Sequence, residues 1–390
     1  MKQWVGRLVI ASAGIAVAAC TSPQTDVDEE NVPVSQEGQA LSRKKCFSTT
    51  ILGSLGGEGS SSAKINARGH VVGSANLANQ QTHAFLWKHG KMRDLGTLGG
   101  VSSNARDVNE RDQVVGVSQI ENGDVRAFLW EHGRIKDLGT LGGNSVDSSV
   151  KINARGQIAG SSTTATGEMH AFLWEHGRMK DLGTLPDGMY SRAAALNDEG
   201  QIAGTSGTAG GGTRAVLWEK GGMRVLGTLG GTWSEASAIN GRGQVVGWSE
   251  TPNGDVHAFL WEAGRMKDLG TINGSTQTRA EAINERGQVI GSYQTPSGTR
   301  GFLWEKGRMK DLGSFGRETF PLALDNRGQV VGYSTIGNPE YAFLWQSGTL
   351  QALSGAFSMA VDINDEGQIA GQGSGESTSV ATLWEPQRCR

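Results

Sequence analysis

The stretch that decides the fold is Ser149-Val150-Lys151-Ile152, Asn153-Ala154-Arg155-Gly156, Gln157-Ile158-Ala159-Gly160-Ser161, followed after a short loop by His170-Ala171-Phe172-Leu173-Trp174, Glu175-His176-Gly177-Arg178 and Met179-Lys180-Asp181-Leu182-Gly183-Thr184-Leu185. It holds four short runs separated by turn signals, each turn carrying a Gly where positive φ is needed. Runs of about five residues joined this way are strands, and no stretch has a helical period. The third run is apolar on both faces, with Ala171 and Leu173 on one and Phe172 and Trp174 on the other. A strand that buries both faces needs a sheet packed on each side.

This unit recurs. The Leu-Trp pair ends at Trp87, Trp130, Trp174, Trp218, Trp261, Trp304, Trp345 and Trp384, which gives spacings of 43, 44, 44, 43, 43, 41 and 39 residues. Four antiparallel strands in roughly 40–45 residues is the size of one propeller blade. The expected fold is therefore all-β, an eight-bladed β-propeller of four-stranded antiparallel blades. The units are numbered 1 to 8 by their Trp. Unit 8 lacks a fourth strand after Trp384, whereas Ile51-Leu52-Gly53-Ser54-Leu55-Gly56-Gly57 matches the unit 1 segment Asp94-Leu95-Gly96-Thr97-Leu98-Gly99-Gly100. Complementary fragments at the two ends suit a ring closed by an N-terminal strand in the last blade, with residues 47–55 supplying it.

Three cysteines are present. Cys46 aligns with His89 at the hairpin between strands three and four, and Cys389 falls at the same hairpin of unit 8. A Cys46–Cys389 bridge would replace the one turn the chain cannot make covalently; the alternative is two unrelated free thiols. Residues 1–19 read as a lipoprotein signal peptide: Lys2 and Arg7 precede an apolar stretch too short to span a bilayer. It ends Val17-Ala18-Ala19-Cys20, which resembles a bacterial lipobox. That resemblance implies cleavage before Cys20 and lipidation of its thiol, an ordinary signal peptide being the alternative. Residues 20–45 are polar, acidic and then basic, without apolar periodicity, and read as a flexible tether. Residues 46–390 form the propeller. The expected location is the bacterial cell envelope, lipid-anchored at the outer membrane or cell surface, where disulfides persist.

His83-Ala84-Phe85, His170-Ala171-Phe172 and His257-Ala258-Phe259, each followed by Leu-Trp and then Asp-Leu-Gly-Thr, resemble the HAF repeat of bacterial extracellular proteins. The likeness covers residues 46–385 and includes Leu-Gly-Thr-Leu-Gly-Gly and Gly-Gln-Val-Val-Gly. Arg126, Arg214, Arg300 and Tyr341 stand where His would, and Asp112 replaces the turn Gly. The family implies an exported repeat protein and brings no established activity.

Residues shared by all units are expected to hold the units together. The His residues repeat at two positions and read as structural. No Cys or His spacing suits zinc, no Gly-rich loop opens a helix to cradle phosphate, and no nucleophile elbow occurs. Asn364-Asp365-Glu366-Gly367 and Asn197-Asp198-Glu199-Gly200 read as turns. A formal net charge of −3 with no basic stripe gives no footprint for nucleic acid. No catalytic residue, metal or cofactor is expected, the chain is expected to be a monomer, and the membrane is reached through the lipid anchor alone.

Function is sought where the units differ. Loops from strand four to the next strand one, and from strand two to strand three, crowd onto one edge of the ring. Near that edge Tyr190, Trp233 and Phe320 replace small residues, and Trp248 and Tyr333 follow the Val-Val-Gly element where other units have Ser. With Arg192, Glu235 and Arg279 alongside, these suit stacking a sugar or anchoring a peptide. The expected function is a non-catalytic binding scaffold for an envelope glycan or protein. The alternative is an extracytoplasmic propeller enzyme such as a glycoside hydrolase, which needs two converging carboxylates. The non-repeated acids Asp147, Glu235 and Glu281 lie on separate units.

Overall fold

The computed structural model describes residues 46–374 and 378–388. The signal peptide, the tether, Cys20 and Cys389 lie outside the described residues. The described residues form strands and no helix. Units 4 to 7 are separate antiparallel sheets of four strands in chain order, as in Ser234–Ile239, Val245–Glu250, Val256–Glu262 and Arg265–Asp268 of unit 5. Units 1 to 3 repeat the arrangement but are joined by single parallel bridges, Thr82 to Ser102 and Val125 to Ser145. In unit 8 the strands Met359–Ile363, Ile369–Ser374 and Ser379–Gln387 are followed in the sheet by Cys46–Gly53, which pairs antiparallel with Ser379–Gln387. In that register Thr49 faces Trp384 and Cys46 faces Gln387.

Two expected strands have other bounds than the sequence suggests. The first strand of unit 3, expected over Ser149–Ile152, is split into Gly142–Val146 and Lys151–Ile152, both paired with Ile158–Thr164. The Asp147 carboxylate accepts hydrogen bonds from the Ser149 amide and hydroxyl, and this local turn interrupts the ladder. The fourth strand, expected over 179–185, is Arg178–Asp181. It stops where Asp181 Oδ1 accepts from Gly183 N at 2.7 Å.

The core lies between neighbouring units. Phe85, Phe128, Phe172, Phe259, Phe302 and Phe343 are fully buried, and the repeated Trp packs onto the preceding unit, as Trp130 does with Val72 and Leu86. Fourth-strand cations of that preceding unit cover the indoles: Arg93 lies 4.9 Å from the Trp130 ring centroid and Lys136 4.9 Å from that of Trp174. The Gly of Val-Val-Gly is required by close approach: a Cβ on Gly247 would collide with the Glu235 carbonyl, and one on Gly332 with the Phe320 carbonyl.

Two polar motifs stitch the units. A buried first-strand hydroxyl accepts from the third-strand Ala N–H of the preceding unit and donates to a Gly carbonyl there. Ser234 takes Ala215 N at 3.0 Å and gives to Gly227 O at 2.7 Å; Ser103, Ser191 and Thr278 do the same. At the opposite edge, each turn Asn folds its own loop and donates to the corresponding carbonyl of the next unit. These bonds run from Asn66 to Asn109, Asn109 to Asn153, Asn153 to Asn197, Asn197 to Asn240, Asn240 to Asn284 and Asn284 to Asp325, all within 2.9–3.1 Å. Asn364 donates to Asn66 O at 3.0 Å. Lys64 and the Ile65 amide both bind the Asp362 carboxylate at 2.9 Å.

Candidate binding face

The first and second strands of each unit oppose one another at the residue after Val-Val-Gly, and this cross-strand row carries most of the variation. The pairs are Ser61 with Ser74, Asn104 with Val117, Arg192 with Thr205, Glu235 with Trp248, Arg279 with Ser292, Phe320 with Tyr333 and Met359 with Gln372. Alternation explains why the row can vary. Its neighbours along the strand, such as Ser234 and Ala236, are buried against the sheet of the preceding unit, whereas Glu235 between them is only half-buried. Side chains are small in units 1 and 2 and large or charged from unit 4 onward.

Of the five aromatic candidates, Trp248, Phe320 and Tyr333 lie within strands rather than loops, and Tyr190 and Trp233 immediately precede the first strands of units 4 and 5. Phe320 and Tyr333 stack with centroids 4.8 Å apart and planes inclined by 21°. The Arg279 guanidinium lies 4.2 Å from the Trp248 ring centroid, a cation–π contact across two units. The Tyr190 ring packs beside Gly207, where a Cβ would meet it at 3.0 Å. Trp233 is 37 % exposed and Met189 beside Tyr190 is 73 % exposed. Phe357, in the loop leading into the first strand of unit 8, and Ile336, in the loop between strands two and three of unit 7, are also exposed and were not among the sequence candidates.

The electrostatics of this face are set by Arg192, Glu235 and Arg279 on successive first strands. Burial raises the Tyr190 hydroxyl pKa, Glu235 raises it further and Arg192 opposes. Desolvation by the surrounding protein likewise raises the Glu281 carboxyl, against the pull of Arg279 and a hydrogen bond with Ser292. Tyr333 is raised by burial and by Glu340 and Glu318.

The histidines are tied into the scaffold. His83, His170 and His257 bond through Nδ1 to Asp94, Asp181 and Asp268 at 2.8–3.1 Å. Arg126 and Arg300 in the same position bond to Thr140 and Ser314 instead. His89, His132 and His176 occupy hairpin positions with φ of 50–51°. Among the described residues no group of three His, Cys, Asp or Glu side chains is placed to hold a metal ion.

At the opposite edge, where the Asn turns meet, lies a cavity of about 300 Å³ lined by Ile152, Leu196 and Ile239 and by Glu110, Asp198 and Glu285. Each of these carboxylates accepts a backbone N–H from the preceding unit's turn at 2.8 Å, from Ala67, Ala154 and Gly241 respectively. They cap turns, and Asp198 itself lies in the turn expected at Asn197-Asp198-Glu199-Gly200.

No family model matches the chain, and no curated protein sequence matches it. Solved structures do. The β-propeller domain of the Trilobed protease from Pyrococcus furiosus, which has an open velcro topology, aligns with a TM-score of 0.52 at 10% identity over 76% of this chain and 96% of that one. A prolyl endopeptidase aligns with a TM-score of 0.55 at 12% identity, over 88% of this chain and 55% of that chain. The Pyrococcus horikoshii acylaminoacyl peptidase aligns at 0.50 and 10% identity, over 76% and 52%. The chain spans about half the length of these two peptidases. Likeness at such identities shows the fold alone, and that fold is a β-propeller.

Proposed function

We propose that this chain is an exported HAF-repeat protein, an eight-bladed propeller closed by its N-terminal strand, which binds an envelope glycan or protein without catalysis. Closure is supported by the Cys46–Gly53 strand beside Ser379–Gln387 and by the Asn364 to Asn66 hydrogen bond. A Cys46–Cys389 disulfide is part of the same reading. It is supported by the disulfide-bonded state of Cys46 and by its register opposite Gln387, two residues before Cys389. The export segment and lipidated Cys20 rest on the sequence.

The observation that carries the binding reading is the aromatic and charged row at the loop edge, Trp248 under Arg279 and Phe320 on Tyr333. These are the residue types that dominate binding energy at interfaces, and they sit on strands whose other face is locked in the core. Cys46 begins its strand at the opposite, Asn-turn edge.

The test is a glycan array and an envelope pull-down with soluble 46–390, followed by an alanine series on the partner recovered. Trp233→Ala and Tyr190→Ala are expected to weaken binding at least tenfold with the melting temperature unchanged. Full binding with both truncated would move the site to the cavity at the Asn-turn edge. Cys20→Ser is expected to release the protein from membranes. The enzyme alternative would draw on Glu281, whose carboxyl is raised by the surrounding protein although the residue itself is exposed to solvent. Turnover of a glycoside panel by wild type, abolished in Glu281→Gln, would replace the scaffold reading.

A further inference from the structure

Unit 7 departs from its neighbours at two positions 21 residues apart, and the two departures belong together. In units 2 to 6 and in unit 8 the turn Asn donates from Nδ2 to the Gln four residues on, and that Gln donates from Nε2 to the Glu that ends the third strand. In unit 3 these are Asn153 to Gln157 at 2.8 Å and Gln157 to Glu175 at 2.8 Å; in unit 8 they are Asn364 to Gln368 at 2.9 Å and Gln368 to Glu385 at 2.9 Å. Donation therefore runs from turn to strand. Unit 7 has Asp325 in place of the Asn and Gln346 in place of the Glu. Asp325 is 3 % exposed and has no N–H to donate. Its Oδ1 accepts from the Arg327 and Gln329 amides and its Oδ2 from Arg327 Nε at 3.0 Å. With Gln329 oriented as in the other units, its Nε2 meets Gln346 Oε1 at 3.2 Å, and its own Oε1 is buried without a partner although the residue is only 1 % exposed.

We propose that unit 7 carries this relay with its polarity reversed. Gln346 Nε2 donates to Gln329 Oε1, and Gln329 Nε2 donates to the Asp325 side chain. The two Gln amides rotate by half a turn, a change that leaves heavy-atom positions almost untouched because amide O and N are nearly isosteric. The reversal satisfies the orphaned oxygen, whose burial would otherwise be costly, and it explains why a carboxylate at one end coincides with an amide at the other. The Asn to Asp change also leaves a gap in the inter-unit ladder, since Asp325 cannot donate to the Asn364 carbonyl; Asn326 adds an Nδ2 bond to Asp365 beside the backbone N–H bond that other units also make, both at 2.8 Å.

The test is a four-member cycle of melting temperatures on the full exported chain. Gln346→Glu alone places carboxylates at both ends of Gln329, so one must face its carbonyl oxygen; a drop of several degrees is expected. In the Asp325→Asn background the same Gln346→Glu change rebuilds the relay of the other units and is expected to be neutral or stabilising. Equal effects of Gln346→Glu in the two backgrounds would overturn the proposal. Should Gln346→Glu fail to fold, neutron diffraction of the deuterated wild type decides. Deuterons on the Gln329 atom nearest Asp325 support the reversal, and their presence on the atom nearest Gln346 overturns it.

Discussion

At the scale of single residues, the breaks in the repeat are informative because they come in matched sets. Asp112 stands where other units have Gly and takes φ of 58°, a conformation disfavoured for a residue with a Cβ. It is held there by His70 Nδ1 at 2.6 Å and Lys88 Nζ at 2.9 Å, and those two residues replace the Gln and Glu of unit 1's own relay. Burial acts to raise the Asp112 carboxyl, and the hydrogen bonds from His70 and Lys88 overcome it, so its pKa is lowered in the fold. A carboxyl depressed on folding adds stability that is present above its unfolded pKa and is lost as pH falls through the folded value. Asp112→Asn is therefore expected to cost about 1–2 kcal/mol at pH 7. The gap from wild type should close below about pH 4, measured by urea unfolding across that range. A pH-independent difference would argue against the carboxylate charge as the source, since Asn tolerates the same positive φ.

At the scale of the strand, two kinds of contact hold units together, and they should fail by different amounts. The Ser234 hydroxyl serves a buried N–H and a part-buried carbonyl of unit 4. Ser234→Ala leaves the two groups unpaired and is expected to cost about 1–3 kcal/mol. Trp261, 6 % exposed and packed with Leu217 and Leu226, fills the space between units 4 and 5. Trp261→Ala is expected to cost about 3–5 kcal/mol through the void it leaves. Thermal melts of the two variants check the order, and a serine variant more damaging than the tryptophan one would reverse this ranking of packing over hydrogen bonding. The strand pattern also shows why three binding candidates, Trp248, Phe320 and Tyr333, tolerate variation inside strands: period-two alternation sends them away from the face that Ser234, Thr278 and Thr319 bury.

At the scale of the whole molecule, the proposed closure makes unit 8 depend on both chain ends. Removing the Cys46–Gly53 strand would expose the Ser379–Gln387 edge, which includes the fully buried Trp384. The proposed disulfide closes a loop of more than 300 residues, for which chain entropy gives an upper figure of about 5 kcal/mol, reduced by any native strain. Cys46→Ser is expected to lower the melting temperature and to give hydrogen exchange that rises first in residues 379–387 and 46–53. Exchange rising uniformly around all units would argue against a seam there.

The sequence by itself determined the unit, its four strands, its inter-unit Trp and the complementarity of the end fragments, because strand alternation and a 39–44-residue period are properties of consecutive residues. It also marked Tyr190, Trp233, Trp248, Phe320 and Tyr333 as departures from the repeat. It overextended two strands, though, since Asp147 interrupts one and Asp181 ends the other by side-chain hydrogen bonds that no periodicity encodes. Only the tertiary structure decided which departures meet. Arg279 reaches Trp248 from the next unit, Asp112 answers His70 from 42 residues away, and Gln346 meets Gln329, whose amide Asp325 holds. The acid-lined cavity at the Asn-turn edge draws on five units at once. These pairings depend on the rotation between neighbouring sheets and on side-chain direction, which packing sets and a linear repeat leaves open.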